Sequence, residues 1–396
     1  VERVVVVGAG LAGAQVAVAL RERGFRGRLT LVGAEPHRPY DRPPLSKGVL
    51  TGASKDSELD VDWASLDVEL RLGEPAVGLD RHAVSTERGR LDYDAVVIAT
   101  GALPIRLPAE PAADRAAITL RTIEDARAIR AALDDGAHLL VVGAGWIGAE
   151  VSTAAIAAGL RVTVLEAAAA PLAGALPAEF GSAMARWYAE AGVTLRLDAP
   201  VREVAGHGVL LADGARLAAD LVVVGVGVRP ATGWLAGSGL ALDERGAVRT
   251  DPGLRGSLPN SYAVGDCAAY HSVRSGRPVH VQHWDNALRA GAVVAENLLG
   301  GDAVYDPAPY FWSEQFGRTV QYCGTHEHAD QVVRRGDPDA ERWAACWLRD
   351  GRLVGLLAVD RPRDLTQARR LIEAGTPLDA VRLADPETQL RATTLG

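Results

Sequence analysis

The sequence predicts an α/β chain in which one strand–turn–helix unit occurs twice and is followed by an α+β domain of a different kind. Three observations carry that prediction. An apolar strand at residues 3–7 runs into Gly8-Ala9-Gly10-Leu11-Ala12-Gly13, then a helix to about Arg23 closed by Gly24, then a strand at 29–32 that leads to Glu35. The same order returns 135 residues later: a strand at 139–142, Gly143-Ala144-Gly145-Trp146-Ile147-Gly148, an alanine-rich helix ended by Gly159, and a strand at 161–165 running into Glu166. Residues 306–361, by contrast, alternate like antiparallel strands and carry no glycine loop. Strand, G-x-G-x-x-G, helix, strand and acidic residue together form the Rossmann-like dinucleotide fingerprint in its required context. The first glycine permits the tight turn, and the second lets backbone N–H groups approach a pyrophosphate. The third lets helix and strand pack closely, and the carboxylate holds a ribose diol. Two such cradles in one chain suggest two cofactors that exchange electrons.

A chain of 396 residues exceeds one hydrophobic core. The expected domains are 1–108 and 232–303, two segments of the first nucleotide domain, then 109–231 for the second and 304–396 for the C-terminal one. A net charge of −8 argues against nucleic acid as the main partner, while leaving room for a basic patch that receives an acidic protein. No apolar run is long enough to span a bilayer, so no membrane partner is expected. The N-terminus reads as strand–turn–helix and not as a signal peptide. Cys267, Cys323 and Cys346 form neither a C-x-x-C pair nor a zinc spacing, which fits core thiols in a reducing cytoplasm and no metal site. Among 42 basic residues only Lys47 and Lys55 are lysines. Such a chain keeps lysine where a compact ammonium is needed, or by chance.

The remaining elements follow in order. The proline-rich run from Pro36 to Lys47 is stiff, with Ser46 placed to cap a short helix beginning at Lys47. It either aims Arg42 and Lys47 at a fixed target or is a rigid linker with solvated charges. Residues 67–100 are β-rich, with a hairpin around Glu87-Arg88-Gly89 and a buried strand leading to Thr100 and Gly101. Pro104 and Pro108 mark a boundary, and Thr122 with Asp125 opens a helix by a capping box, ending near Asp134-Asp135-Gly136. Small strands at 195 and 201–211 come before a turn at Asp213-Gly214. A buried strand is expected at 221–228, stopped by Arg229-Pro230, and another at 261–266 that ends in Asp266. A helix follows Trp284-Asp285-Asn286 to about Leu299. Strands at 343–348 and 353–359 pair across Asp350-Gly351, and a helix occupies about 364–374.

At this point the chain resembles the FAD-dependent, NADH-linked ferredoxin reductases, which serve bacterial haem-thiolate monooxygenases and Rieske-type dioxygenases. The resemblance covers essentially the whole chain. It rests on Arg42-Pro-Pro-Leu-Ser-Lys47, both fingerprints, Ala99-Thr100-Gly101, Gly265-Asp266-Cys267-Ala268, Trp284 before an Asn-Ala helix start, and Phe311-Trp312-Ser313. Pro362-Arg363-Asp364 and Leu383-Ala384-Asp385 are similar to the family's third domain. The resemblance implies a glutathione-reductase-like flavoprotein architecture, FAD and NADH as cofactors, and a [2Fe-2S] ferredoxin as transient partner. Rubredoxin reductases and apoptosis-inducing factor are more distant relatives, and imply as alternatives a rubredoxin reductase or an apoptosis-inducing-factor-like NADH oxidoreductase acting as a redox switch.

The resemblance also implies site residues. Gly8, Gly10, Ala12 and Gly13 would lie against the FAD pyrophosphate and Glu35 on its ribose, with Arg42, Lys47, Ala76, Thr100, Gly101, Arg121, Asp266 and Trp284 completing the site. Gly143, Gly145, Ile147, Gly148, Glu166 and Gly227 would hold NADH. A Lys47–Glu150 pair would lie beside the reactive edge of the flavin, and Trp312 would be a lid near the docking place of the iron–sulfur partner. Glu166 accepts from a ribose diol and repels a 2′-phosphate, so NADH is expected over NADPH. Relatives carry arginines near positions 170 and 174, where this chain has Ala170 and Gly174. They often have an acidic residue where this chain has Gln282-His283, and His283 is read as structural. A flavoprotein disulfide reductase would need a cysteine near the flavin, and residues 34–60 hold none.

Overall fold

The computed structural model describes residues 1–108, 117–132, 136–205 and 207–395. The boundary expected at residue 109 and the helix end expected at Asp134-Asp135 lie outside the described residues. The chain folds as two compact units, Val1–Asp41, Ser57–Leu103 and Val228–Pro309 in the first, Arg42–Asp56, Pro104–Gly227 and Tyr310–Gly396 in the second.

In the first unit a five-stranded sheet runs Ser261–Ala263, Ala95–Ile98, Arg3–Val7, Arg28–Val32, Glu69–Arg71, every pair parallel. Val4 to Val7 are all buried, as in a strand covered on both faces. The helix Leu11–Glu22 packs on Trp284–Leu298. The two come so close that a Cβ on Gly291 would lie 2.6 Å from the backbone carbon of Gln15. The expected hairpin forms from Ala83–Thr86 and Gly89–Asp92, with Ala76–Leu79 as a third antiparallel strand. A further small sheet of Val248–Thr250, Ala268–Ser272 and Arg277–His280 has no counterpart in the sequence expectations.

The second unit repeats the parallel plan, in the order Thr194–Arg196, Arg161–Leu165, His138–Val142, Leu221–Val224, Ala117–Thr119. Thr122 caps Ile123–Ala131 in a complete capping box with Asp125. The strand expected to run to Val228 stops at Val224. There Gly225 passes so close beneath the glycine loop that a Cβ on Gly143 would lie 2.5 Å from its carbonyl oxygen, and Gly227 turns the chain at φ +107°. Pro230 lies in a short strand, Val228–Pro230, where the chain re-enters the first unit.

The antiparallel sheet runs Tyr310–Gln315, Arg318–Gly324, Arg352–Val359, Trp343–Arg349, Gln331–Arg335, with the tight turn at Asp350-Gly351 as expected. Pro362 opens the helix Pro362–Ala374, where its missing N–H costs nothing. A further helix, Ala178–Glu190, has no counterpart among the sequence expectations. Its Phe180, Met184 and Trp187 bury against Trp343 and Trp347, so this helix and the antiparallel sheet share one core. Among the described residues no helix is long and apolar enough to cross a membrane, and no cluster of potential metal ligands occurs.

Candidate functional site

The first glycine loop separates what the fold requires from what a ligand requires. Gly8 has φ +116°, and a Cβ there would lie 2.1 Å from the Ala99 carbonyl oxygen; a Cβ on Gly13 would lie 1.9 Å from that of Gly8. Both glycines are imposed by backbone packing. Gly10 is not: its φ is −90°, and a Cβ would meet nothing within 4 Å. That open space lies at the start of Leu11–Glu22, where first-turn N–H groups lack intrahelical acceptors and the helix dipole favours an anion. It suits a pyrophosphate that a side chain would displace. Ala12 is buried beneath Gly265, whose Cβ would lie 2.9 Å from that of Ala12 and 4.0 Å from that of Ala287. The fold thus brings the loop, Asp266 and the helix that begins at Trp284 together. Within the same unit the Tyr40 hydroxyl donates to Glu35. The Trp284 indole donates to Asp41 at 2.8 Å, and the Thr100 hydroxyl to the Ala231 carbonyl at 2.8 Å. Gly101 has φ +69°, and Ala76 opens a strand opposite Thr86.

The second loop is built alike. Gly143 has φ +101°, and a Cβ on Gly148 would lie 2.0 Å from the Gly143 carbonyl oxygen, whereas a Cβ on Gly145 would meet only the Gly225 carbonyl oxygen, at an ordinary contact distance of 4.0 Å. Glu166 accepts the Ala144 N–H at 2.8 Å and the Ala168 N–H at 2.9 Å, one on each oxygen. The carboxylate therefore fixes the loop, and its remaining lone pairs suit ribose hydroxyls. Ile147 exposes 42 % of its surface at the start of the helix Trp146–Ala157, an apolar side chain available to a ligand. Ala170 is buried beside Gly181 and leaves no place for a long cation, and Gly174 is exposed. Gly227 accepts the Ile105 N–H at 2.9 Å.

The same unit unites Lys47 and Glu150. The Lys47 ammonium donates to Glu150 Oε2 at 2.7 Å, and Glu150 is only 4 % exposed. Such a carboxylate needs its lone pairs filled. The Ser46 hydroxyl also donates to Oε2, and the Ser313 hydroxyl donates to Oε1 at 2.7 Å. Ser46 therefore does not cap a helix: a 3-10 turn at Pro43–Ser46 leads into the helix Gly48–Thr51, whose cap position is Lys47. Arg42 donates to the Arg121 carbonyl at 2.5 Å, and Asp125 accepts the Arg121 N–H at 2.9 Å. Trp312 lies on the strand Tyr310–Gln315, facing away from Ser313 by strand alternation and stacked on Tyr310 at 6.0 Å. Ser46, Ser313 and Gln315 are the members of this cluster that sequence reasoning missed. The only signal for them lies in their adjacency to Lys47 and Trp312.

Titration behaviour separates this centre from thiol chemistry. Burial pushes the Cys267 thiol up to about 11 and Cys346 up to about 12, and raises Cys323 as well. All three are free and buried, so none supplies a thiolate nucleophile. Burial lowers His283 to about 4 against the opposing charges of Asp266 and Asp285, so its imidazole is neutral near pH 7.

Comparison with known proteins agrees with this geometry. Residues 2–291 match the family described as pyridine nucleotide-disulphide oxidoreductase, and residues 310–394 match the reductase C-terminal family. The chain is 37 % identical to the anthranilate 1,2-dioxygenase system ferredoxin–NAD(+) reductase component of Burkholderia cepacia, over 98 % of both chains. It is similar to the crystal structure of Fdr9, with a TM-score of 0.93 and 47 % identity over 98 % of this chain and 99 % of that one. It is also similar to putidaredoxin reductase in its covalent complex with putidaredoxin, with a TM-score of 0.93 and 33 % identity over 99 % of this chain and 98 % of that one. The chain therefore belongs to the pyridine nucleotide-disulphide oxidoreductases, as one of the ferredoxin reductase branch that carries the reductase C-terminal domain.

Proposed function

We propose that this protein is an NADH-dependent FAD flavoprotein that reduces a [2Fe-2S] ferredoxin, which in turn supplies a Rieske-type or haem-thiolate oxygenase. The observation that carries the proposal is the pair of glycine loops in which Gly10 and Gly145 stand at the helix starts although backbone packing requires glycine at neither position. The chemistry that FAD would supply when bound is the conversion of the two-electron hydride of NADH into single electrons for an iron–sulfur protein. Gly8, Gly10, Ala12 and Gly13 would hold the FAD pyrophosphate, Glu35 its ribose, and Ala76, Thr100, Gly101, Asp266 and Trp284 the rest of the cofactor in that unit. Arg42 and Arg121 would also contribute to FAD binding. Gly143, Gly145, Ile147, Gly148 and Gly227 would hold NADH, and Glu166 selects it by accepting from the ribose diol.

Lys47 and Glu150 supply a fixed ion pair to the redox chemistry. The ammonium stabilises negative charge that develops on reduction, and the buried carboxylate keeps the ammonium in one place. Neither residue has to exchange a proton with substrate. Trp312 would serve as a lid near the docking place of the iron–sulfur partner. The relatives named for dioxygenase systems and the complex with putidaredoxin support a ferredoxin as partner.

Titration of [2Fe-2S] ferredoxins against NADH oxidation tests this. A rate that rises and saturates with one ferredoxin, with NADH preferred over NADPH, supports the proposal. NADH oxidation that no ferredoxin accelerates overturns it.

A further inference from the structure

We propose that Ser313, its hydroxyl oriented by Gln315, is a positioning residue that holds Glu150 in the rotamer in which the other carboxylate oxygen faces Lys47 and Ser46. The inference rests on the role assigned above to the Lys47–Glu150 pair. A serine hydroxyl has one proton. The Gln315 side-chain amide donates to Ser313 Oγ at 3.1 Å, so that oxygen is already an acceptor there and its single proton points to Glu150 Oε1, 2.7 Å away. Ser313 is 0 % and Gln315 1 % exposed, so no water competes for that proton. Oε1 is thus satisfied by Ser313, and Oε2 by Ser46 and Lys47. The division of donors between the two oxygens fixes the plane of the carboxylate.

The backbone that carries Ser313 is itself held. Trp146, Glu150 and Thr153 form one stripe of the helix Trp146–Ala157, and each meets the strand Tyr310–Gln315 or the residue after it. Trp146 packs edge-on against Phe311 at 4.6 Å between ring centres, Glu150 meets Ser313, and the Phe316 N–H donates to Thr153 Oγ1 at 3.0 Å. Three contacts over two turns of helix leave the strand no freedom to slide. Removing the Ser313 hydroxyl leaves Oε1 buried without its donor, and the carboxylate recovers one by turning away from the arrangement in which Oε2 serves Lys47.

The chain offers an internal gauge, because Lys47 and exposed Lys55 are its only amines besides the N-terminus. An ammonium held on a carboxylate is less available to an acylating reagent than a free one. In apoprotein pulsed with acetic anhydride, peptide mass spectrometry should give a Lys47:Lys55 labelling ratio that rises about fivefold in Ser313→Ala. In FAD-loaded protein the flavin reduction rate should fall about tenfold in Ser313→Ala, with the NADH dissociation constant within twofold of wild type. Ser313→Cys, which keeps the volume but replaces a strong donor by a weak one, carries the test if Ser313→Ala aggregates. A labelling ratio equal to wild type in the Ser313 variant overturns the positioning role, even if wild-type protein takes its hydride from NADH. Failure of wild-type protein to be reduced by NADH leaves the labelling result standing and overturns the functional proposal instead.

Discussion

The Lys47–Glu150 pair lends itself to a double-mutant cycle whose size follows from its surroundings. The bond is 2.7 Å long, with 21 % of the Lys47 side chain and 4 % of that of Glu150 exposed. Exposed pairs couple by about 0.2–1 kcal/mol, and breaking a fully buried one costs about 3–5 kcal/mol. Glu150 keeps two hydroxyl donors when Lys47 is lost, and Lys47 reaches solvent when Glu150 is neutralised, so the coupling should fall between those limits, at about 1–2 kcal/mol. Lys47→Met should destabilise more than Glu150→Gln, because it leaves the buried charge behind. Urea denaturation of the two single variants and the double variant gives the coupling energy. Stopped-flow reduction by NADH reads the same cycle kinetically, where about 1–2 kcal/mol corresponds to roughly a 5- to 30-fold slower hydride step. Additivity to within about 0.3 kcal/mol, with unchanged reduction rates, would refute the pairing.

Three further outcomes are expected. Gly10→Ala should leave apoprotein stability unchanged, because its Cβ meets nothing within 4 Å, yet weaken FAD retention at least tenfold; retained FAD at wild-type affinity would mean that the loop is only a turn. Glu166→Arg should lower the NADH/NADPH preference at least tenfold, and should weaken binding of both nucleotides because the Ala144 and Ala168 N–H groups lose their acceptor; an unaltered ratio contradicts the assignment. His283, lowered by burial to about 4, contributes stability that is complete above the unfolded value near 6.5 and is lost as the pH falls towards 4, on the order of 3 kcal/mol in all. The His283→Gln variant should therefore lose less stability between pH 7 and pH 5, by about 2 kcal/mol in chemical denaturation, and an identical pH slope in both proteins would contradict it.

Much of the fold was legible because its constraints are local. Gly13 and Gly148 are dictated by approaches of about 2 Å to the carbonyl oxygens of Gly8 and Gly143 five residues earlier, Gly8 and Gly143 take the positive φ of a tight turn, and the capping box of Thr122 lies within one turn. The helix Ala178–Glu190 was within reach as well. Phe180, Met184, Trp187 and Tyr188 fall at helical spacing, but the alanines around them hide the period. The end of the strand at Val224 was not legible, since it depends on Gly225 meeting a loop that lies far away in sequence. The site divides the same way. The two cradles and Glu166 follow from short motifs, whereas Ser46 and Ser313 reach Glu150 across 104 and 163 residues. A serine before a short helix looks like a cap, and only the tertiary fold shows that its hydroxyl is taken by a buried carboxylate.

The most direct measurement is anaerobic mixing of the purified, FAD-reconstituted protein with stoichiometric NADH while the flavin absorbance is followed. The protein should retain FAD through gel filtration, and its yellow absorbance should bleach in a single rapid phase, much faster than with NADPH. A protein that does not retain flavin, or whose flavin stays oxidised in the presence of NADH, would contradict the proposed function.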